Sequence, residues 1–412
     1  MRIGIFTDTY PPYINGVSTS VLMLQRALEK KGHTVYIVSV NSDALKYSEE
    51  DNNKILRIPG IPIGIYDYRL TGIYPLKAIN IIKEWNLDVI HSQTEFGVGT
   101  FARIIAKQYN IPLVHTYHTM YEDYVHYITK GYFTGSAKKV VEYLTKFYCD
   151  KTITELIVPT KKAYDLFKDK YKVERSVHII PTGFELERFA DEGVDSKKVE
   201  LIKQGLGIQP DDFVIVTVGR MGTEKNVDFL IDGTIQIIKK HPNCKLILIG
   251  DGPDIDKFKD HASKYPDNII FTGKVPWEEI PTYYRVANVF TTASVTETQG
   301  LTVIEALASS LPVVVIDDES FKAMAINDLN GLEFKTKKDY KHCMEKLMND
   351  QVLYERLKSQ AAISVKQYDS KYFAERVLDV YNLAIGPKNE TKKKKTFLSN
   401  LVNVFKGGIN GK

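Results

Sequence analysis

Two doubly wound α/β domains, each a parallel sheet covered by helices on both faces, are what this sequence predicts, and three observations predict them. Short apolar runs alternate with segments of helical period from residue 2 to about residue 171. The same alternation restarts near residue 196 and runs past residue 312. Between the two series lies Pro181-Thr182-Gly183-Phe184, a turn-forming cluster of the kind found at domain boundaries.

In the first unit Arg2 to Thr7 is a short apolar run and Pro11-Pro12 with Asn15-Gly16 punctuates a turn. Val17 to Lys30 then carries apolar residues at helical spacing, with Gly32 as its stop. Strand and helix pairs follow at Asp88 to Ser92 with Gly97 to Gln108, at Ile111 to His115 with a Tyr-rich stretch, and at Thr152 to Val158 with Thr160 to Tyr171. Val177 to Ile180 closes the unit as a strand. In the second unit strands are expected at Phe213 to Val218, Lys245 to Gly250, Ile269 to Phe271, Val289 to Thr291 and Pro312 to Val315, each before a helical pattern. The expected domains are 1–182 and 183–369, with a helix at about 370–386 packing back on the first and a basic amphipathic tail at 387–412. In open parallel sheets ligands bind beyond the carboxyl ends of the strands, so two such domains place a site in the cleft between them.

Composition narrows the function classes. With 412 residues, 43% hydrophobic and 26% charged, the chain has ordinary globular proportions. No apolar run approaches the ~20 residues of a membrane-spanning helix. Met1 to Asp8 meets a carboxylate before any signal-peptide core forms, which predicts a cytoplasmic chain. Cys149, Cys244 and Cys343 are odd in number and lack C-x-x-C spacing, so neither a disulfide nor a zinc site is expected. The net charge of +4 is uneven: seven Lys against one Glu beyond residue 387 leave −2 for residues 1–387. A body without a basic excess argues against nucleic acid as a partner.

The strongest constellation is Glu297-Thr298-Gln299-Gly300-Leu301-Thr302-Val303-Ile304-Glu305, two carboxylates flanking a glycine and the start of a helix over Leu301 to Ala308. A helix N-terminus offers free N–H groups and a positive dipole end to an anion such as a nucleotide diphosphate. Glu297 stays in the loop and Glu305 sits about one turn into the helix, where both accept hydrogen bonds from hydroxyls. A pair of surface glutamates is the plain alternative. Gly219-Arg220-Met221-Gly222-Thr223-Glu224-Lys225 follows a strand, and its Arg and Lys form a clamp for a diphosphate unless the loop is simply solvated. Gly16, in the loop after the first strand, lets the backbone approach a phosphate closely.

Together Asn15-Gly16, His118, Gly219-Arg220 with Lys225, Gly250-Asp251-Gly252 and the Glu297 to Glu305 motif resemble a retaining glycosyltransferase of family 4, whose GT-B architecture sets two Rossmann-like domains across a cleft. The resemblance spans residues 1 to about 385. It implies that Arg220 and Lys225 hold the donor diphosphate, that Glu305 takes the ribose hydroxyls and that Glu297 takes hydroxyls of the transferred sugar. Backbone groups at Gly16, Gly300, Leu301 and Thr302 add phosphate contacts, and Val275 lies in the loop resembling the base-contacting one. His118 faces the donor sugar, so His118 and Glu297 are the catalytic candidates. No metal and no cofactor beyond the UDP-sugar donor is expected. His115-x-x-His118 lacks a third ligand at a recognisable spacing, and Asp254-x-Asp256 falls where carboxylates cap a helix.

Two variants narrow the acceptor. His115-Thr116-Tyr117-His118-Thr119-Met120-Tyr121-Glu122-Asp123-Tyr124 and Gln299, where most of the family has Phe, resemble the subgroup that glucosylates 1,2-diacylglycerol in low-GC Gram-positive bacteria and mollicutes. The implied partners are UDP-glucose, diacylglycerol and an anionic membrane surface, met peripherally at the inner face. Tyr121, Tyr124, Lys138 and Lys139 belong to a stretch suited either to headgroups or to a packed helix with a solvated face. The loop Ile58 to Tyr74 either touches acyl chains or covers the domain, and Lys393, Phe397 and Leu401 give the tail a basic, apolar character. Other family 4 acceptors remain open: a polyprenyl-linked saccharide, a cell-wall polymer or a protein. So does a catalytically silent partner subunit, whereas a nicotinamide oxidoreductase lacks G-x-G-x-x-G after any strand.

Overall fold

The computed structural model describes residues 1–13, 15–41, 46–62, 69–71, 76–95, 97–119, 134–190 and 194–386, giving only the backbone at 62, 70 and 134–138. Tyr121, Tyr124, Lys393, Phe397, Leu401 and the Lys138 side chain therefore lie outside the described residues.

The first domain holds β1 (Arg2–Phe6), β2 (Thr34–Val40), β3 (Ser48–Glu50), β4 (Ile55–Ile58), β5 (Gly60–Pro62), β6 (Arg69–Thr71), β7 (Val89–Ser92), β8 (Leu113–Thr116), β9 (Glu155–Val158) and β10 (Val177–Ile179). Its main sheet has the order β10-β9-β8-β7-β1-β2-β4-β3, parallel throughout except for the antiparallel edge strand β3. The second holds β11 (Phe213–Val218), β12 (Cys244–Ile249), β13 (Ile269–Gly273), β14 (Val289–Thr292), β15 (Val313–Ile316) and β16 (Gly331–Phe334), all parallel in the order β13-β12-β11-β14-β15-β16. That is the 3-2-1-4-5-6 order of a doubly wound nucleotide-binding sheet. The segment from Ile58 onward differs from the loop the sequence suggests. Ile58 is buried in β4, and β5 pairs antiparallel with β6 as a small hairpin.

Burial on both faces explains why these strands read as near-continuous apolar runs. In the first sheet Phe6, Val38, Ile90 and Leu156 pack on one side while Ile3, Ile5, Val35 and Ile37 pack on the other. Val216, Ile247 and Phe290 divide in the same way from Ile215, Leu246 and Val289 in the second. Each such side chain contributes about 1.5–3 kcal/mol when fully buried.

Helix 370–386 completes the first core, with Phe373, Val377 and Tyr381 packed among Ile3, Ile5 and Val89. The Tyr381 hydroxyl meets His91 Nδ1 at 2.7 Å. The chain thus crosses between domains twice, and the two crossings are tied together. Phe184 N–H donates to the Tyr368 carbonyl, and Ser370 N–H donates to the Phe184 carbonyl, both at 2.8 Å. Gly183 is required there, because a Cβ would come within 2.4 Å of Phe373 Cβ.

Candidate active site

Each sheet reverses its strand order once, between β1 and β7 and between β11 and β14, and loops diverge from such points to leave a crevice. Four of the loops that carry the sequence-predicted residues follow these strands or β8.

On the second domain, β11 leads into Gly219-Arg220 and a short turn of 3-10 helix at Thr223–Lys225. Gly250 and Gly252 pack directly beneath. A Cβ on Gly250 would lie 1.9 Å from the Gly219 carbonyl oxygen, and one on Gly252 would lie 2.5 Å from that of Met221. Arg220 donates to Glu224 Oε1 through Nε at 3.0 Å and Nη2 at 2.5 Å, and the Glu224 side chain is buried. Lys225 Nζ reaches Glu297 Oε1 at 2.5 Å, bringing together two residues 72 positions apart. Burial pushes the Glu297 pKa up, but the Lys225 charge and hydrogen bond outweigh it and hold the carboxyl below its ordinary value. Asp254 does not cap its own helix. It accepts from Thr223 N–H at 2.7 Å and Thr223 Oγ1 at 2.9 Å, fixing the turn that carries Lys225.

After β14, Gly300 adopts the left-handed conformation with φ 72° and the helix Leu301–Ala308 begins. Its first N–H groups have no intrahelical acceptor and face the crevice end of the sheet. Glu305 is buried and accepts from the Tyr284 hydroxyl at 2.9 Å. Burial raises its pKa to about 7, with Tyr284 and the Arg188 charge acting in the opposite sense. Arg188 lies over the Trp277 ring, 3.4 Å from its centroid. The Val275 side chain is buried in the second core, so a base contact from this residue would come from its backbone.

Around His118 and Asn15 the first domain presents mainly uncharged groups. Asn15 caps the helix Gly16–Lys30 by accepting from Ser18 N–H at 2.9 Å. A Cβ on Gly16 would lie 3.4 Å from Leu301 Cδ1, so the two helix N-termini approach each other across the crevice. His118 Nε2 meets Gln93 Oε1 at 2.7 Å, and burial lowers its pKa to about 4. With the Gln93 oxygen accepting, Nε2 carries the proton and the ring is neutral. Asp8 accepts from Val98 N–H at 2.9 Å, and burial raises its carboxyl to about 6.

Several residues that hold this arrangement carry no spacing signal. Thr298 Oγ1 donates to the His118 carbonyl at 2.7 Å and Thr160 Oγ1 donates to the Thr298 carbonyl at 2.8 Å. Lys162 Nζ reaches Asp318 at 3.0 Å and the Val295 carbonyl at 3.0 Å. Glu224, four residues after Arg220, is the exception, since i,i+4 pairing is a sequence signal. A metal-competent group also escapes spacing. Glu95, His115 and Cys149 place one donor atom each within 4.8 Å of one another, and His118 is not among them. Both His115 nitrogens are engaged, Nδ1 with the Ser92 carbonyl at 2.9 Å and Nε2 with Glu95 at 3.1 Å. Burial and the Arg103 charge push its pKa down, and burial raises the Cys149 thiol. The nearby guanidinium makes the triad a poor cation site.

Away from the crevice, the helix Thr134–Lys146 leaves Lys139, Val140 and Tyr143 exposed, and Phe147 continues that surface. No helix among the described residues is long and apolar enough to cross a membrane.

Two facing doubly wound domains, with an Arg–Lys pair and two carboxylates at the strand ends of the second, define a nucleotide-sugar glycosyltransferase of GT-B architecture. Comparison with known proteins agrees. Residues 14–188 match the model for Glycosyltransferase Family 4 and residues 198–364 that for Glycosyl transferases group 1, and the chain belongs to this family. It is 37% identical over 407 residues to an alpha-monoglucosyldiacylglycerol synthase of Acholeplasma laidlawii, covering 96% of this chain and 100% of the relative. A synthase of the same description from Streptococcus pneumoniae is 37% identical, over 79% of this chain and 75% of its own. Among solved structures, Anabaena HepE in complex with UDP-glucose superposes with a TM-score of 0.71 at 15% identity, covering 92% of this chain and 98% of that one. At that identity the likeness shows the fold.

Proposed function

We propose that this glycosyltransferase moves glucose from UDP-glucose to the free hydroxyl of 1,2-diacylglycerol, with retention of anomeric configuration, at the inner face of the membrane. The observation that carries the reading is the 37% identity to the Acholeplasma synthase across both chains' lengths. The crevice supports it. Arg220 and Lys225 supply cationic donors for a diphosphate, and the N-terminus of Leu301–Ala308 adds backbone donors. Fixed donors of this kind stabilise the leaving UDP as the bond from the glucose anomeric carbon to phosphate oxygen breaks. The acceptor oxygen bonds to the same face of that carbon, and its proton passes to the departing phosphate oxygen. Glu297, kept ionised beside Lys225, accepts from sugar hydroxyls, and the neutral His118 ring faces the sugar without adding positive charge. The reaction in this proposal uses no metal.

The exposed Lys139, Val140, Tyr143 and Phe147 suit a headgroup layer, where rings and Lys stems lie along the interface. The tail adds seven Lys and one Glu beyond residue 387. The test offers radiolabelled UDP-glucose, UDP-galactose and GDP-mannose to purified protein with vesicles of diacylglycerol and anionic phospholipid. Organic-phase label is expected from UDP-glucose alone, in an α-linked monoglucosyl lipid. Label that stays aqueous, or a β-linked product, would overturn the proposal.

A further inference from the structure

The loop that carries Glu297 belongs to the second domain but is held by the first. Gln299 is buried, and its amide makes a reciprocal pair with the backbone of Thr182 in the interdomain crossing. Thr182 N–H donates to Gln299 Oε1 at 2.8 Å, and Gln299 Nε2 donates to the Thr182 carbonyl at 3.3 Å. Thr182 Oγ1 lies 3.0 Å from Ser20 Oγ on the helix that begins at Gly16. One residue earlier, the Thr298 peptide and hydroxyl are held between Thr160 Oγ1 and the His118 carbonyl. The two attachments bracket the peptide that follows Glu297 and fix it to the strand-end loop bearing His118.

We propose that Gln299, with Thr160 and Thr298, forms a latch across the crevice that sets Glu297 against His118, so that these are positioning residues for the transfer step rather than for donor binding. The geometry explains why an amide stands at 299. Only a side chain with both a donor and an acceptor satisfies both groups of a single buried peptide residue, and an apolar side chain has neither. Breaking the latch removes neither the Arg220–Glu224 nor the Lys225–Glu297 contact, since Thr160, Thr182 and His118 are partners in neither pair. It loosens Glu297 relative to His118, and a misplacement of about 1 Å costs on the order of 100-fold in rate.

This inference rests on the proposed transfer reaction, and its test separates the two. In Gln299→Leu, hydrogen exchange at the Thr182 amide should accelerate by about 10-fold or more, since that N–H loses its buried acceptor. Glucosyl transfer to diacylglycerol vesicles should fall by about 10–100-fold in kcat, while the UDP dissociation constant stays within about twofold. Thr160→Val should reproduce the kcat loss and Thr160→Ser should restore it, which a general loss of packing would not. Unchanged Thr182 exchange, or equal losses of kcat and UDP affinity, would overturn the latch. If the unaltered protein glucosylates no lipid although Thr182 exchange responds as expected, the reaction fails and the latch stands.

Discussion

The two walls of the crevice are built from opposite materials. The second domain presents formal charges in pairs, Arg220 with Glu224 and Lys225 with Glu297, at 2.5 Å each. The first presents mainly neutral groups: the amides of Gln93 and Asn15 and His118, whose pKa burial lowers to about 4, beside an Asp8 carboxyl raised to about 6 that is partly protonated near neutral pH. A wall of paired charges can share its cations with a diphosphate while each stays beside its carboxylate, whereas a mainly neutral wall can face an uncharged sugar and an uncharged hydroxyl. On the proposed reaction, the difference assigns the diphosphate to the second domain and the acceptor to the first.

The sharpest way to break that comparison is Lys225→Ala. It removes a cationic donor and leaves the burial of Glu297 opposed only by the Ser294 hydrogen bond and the Lys162 charge, so the carboxyl pKa should rise. Transfer should drop by about 10²–10³-fold in kcat, the scale for losing one preorganised donor. A tenfold loss or less, in initial-rate measurements, would remove Lys225 from the chemistry.

Glu305 sharpens the comparison by pH. Its folded pKa of about 7 lies above the ordinary carboxyl value of 4.5, so its share of stability is intact below pH 4.5 and lost as pH rises through 7. Glu305→Gln should stabilise the fold at pH 8, by roughly 3 kcal/mol at most, with a higher midpoint of thermal unfolding there and an unchanged one at pH 4. A carboxylate accepting from ribose hydroxyls must also be ionised. UDP affinity should therefore climb more steeply between pH 6 and pH 8 in the unaltered protein than in the variant, where only ionisation of the terminal phosphate of UDP remains, as titration calorimetry at several pH values would show.

How much of this was legible in the sequence depends on range. The strand Phe213–Val218 and the helix Leu301–Ala308 are found at their observed ends, because an apolar run bounded by Gly219 and a periodic segment opened by Gly300 are local signals. The hairpin of β5 with β6 escapes, since three residues are too few to display a period, and β16 escapes because Gly331-Leu332-Glu333-Phe334 holds no continuous apolar run. The five-residue π-helical turn Leu166–Lys170 is read only as a continuation of the helix over Thr160 to Tyr171. Within the site, types of residue were legible and partners were not. Lys225 and Glu297 were each identifiable, but their contact exists only once the second domain has folded, and that of Lys162 with Asp318, 156 positions away, only once the two domains meet.

Smaller effects concern the surface and the medium. Truncation after Gly386 removes seven Lys and one Glu. With each basic residue near an anionic surface contributing about 1 kcal/mol, sedimentation with anionic vesicles should decline at low salt while UDP binding persists. Equal sedimentation of both forms would move the membrane contact to the face bearing Val140 and Tyr143. The smallest expected effect is that of excess EDTA, which should leave the transfer rate unchanged. Loss of activity restored by Mn²⁺ or Mg²⁺ would require a metal role for the Glu95, His115 and Cys149 group or for Asp254 and Asp256.

The contrast between the two walls is tested most directly by titrating UDP into three proteins side by side: the unaltered chain, Arg220→Ala and His118→Ala. UDP affinity should weaken by ~1.5–3 kcal/mol in Arg220→Ala, the scale of a hydrogen bond to a charged group, and hold within about twofold in His118→Ala despite its loss of transfer. Undiminished UDP binding by Arg220→Ala, or a loss in His118→Ala as large as that expected for Arg220→Ala, would contradict the division of labour between the domains.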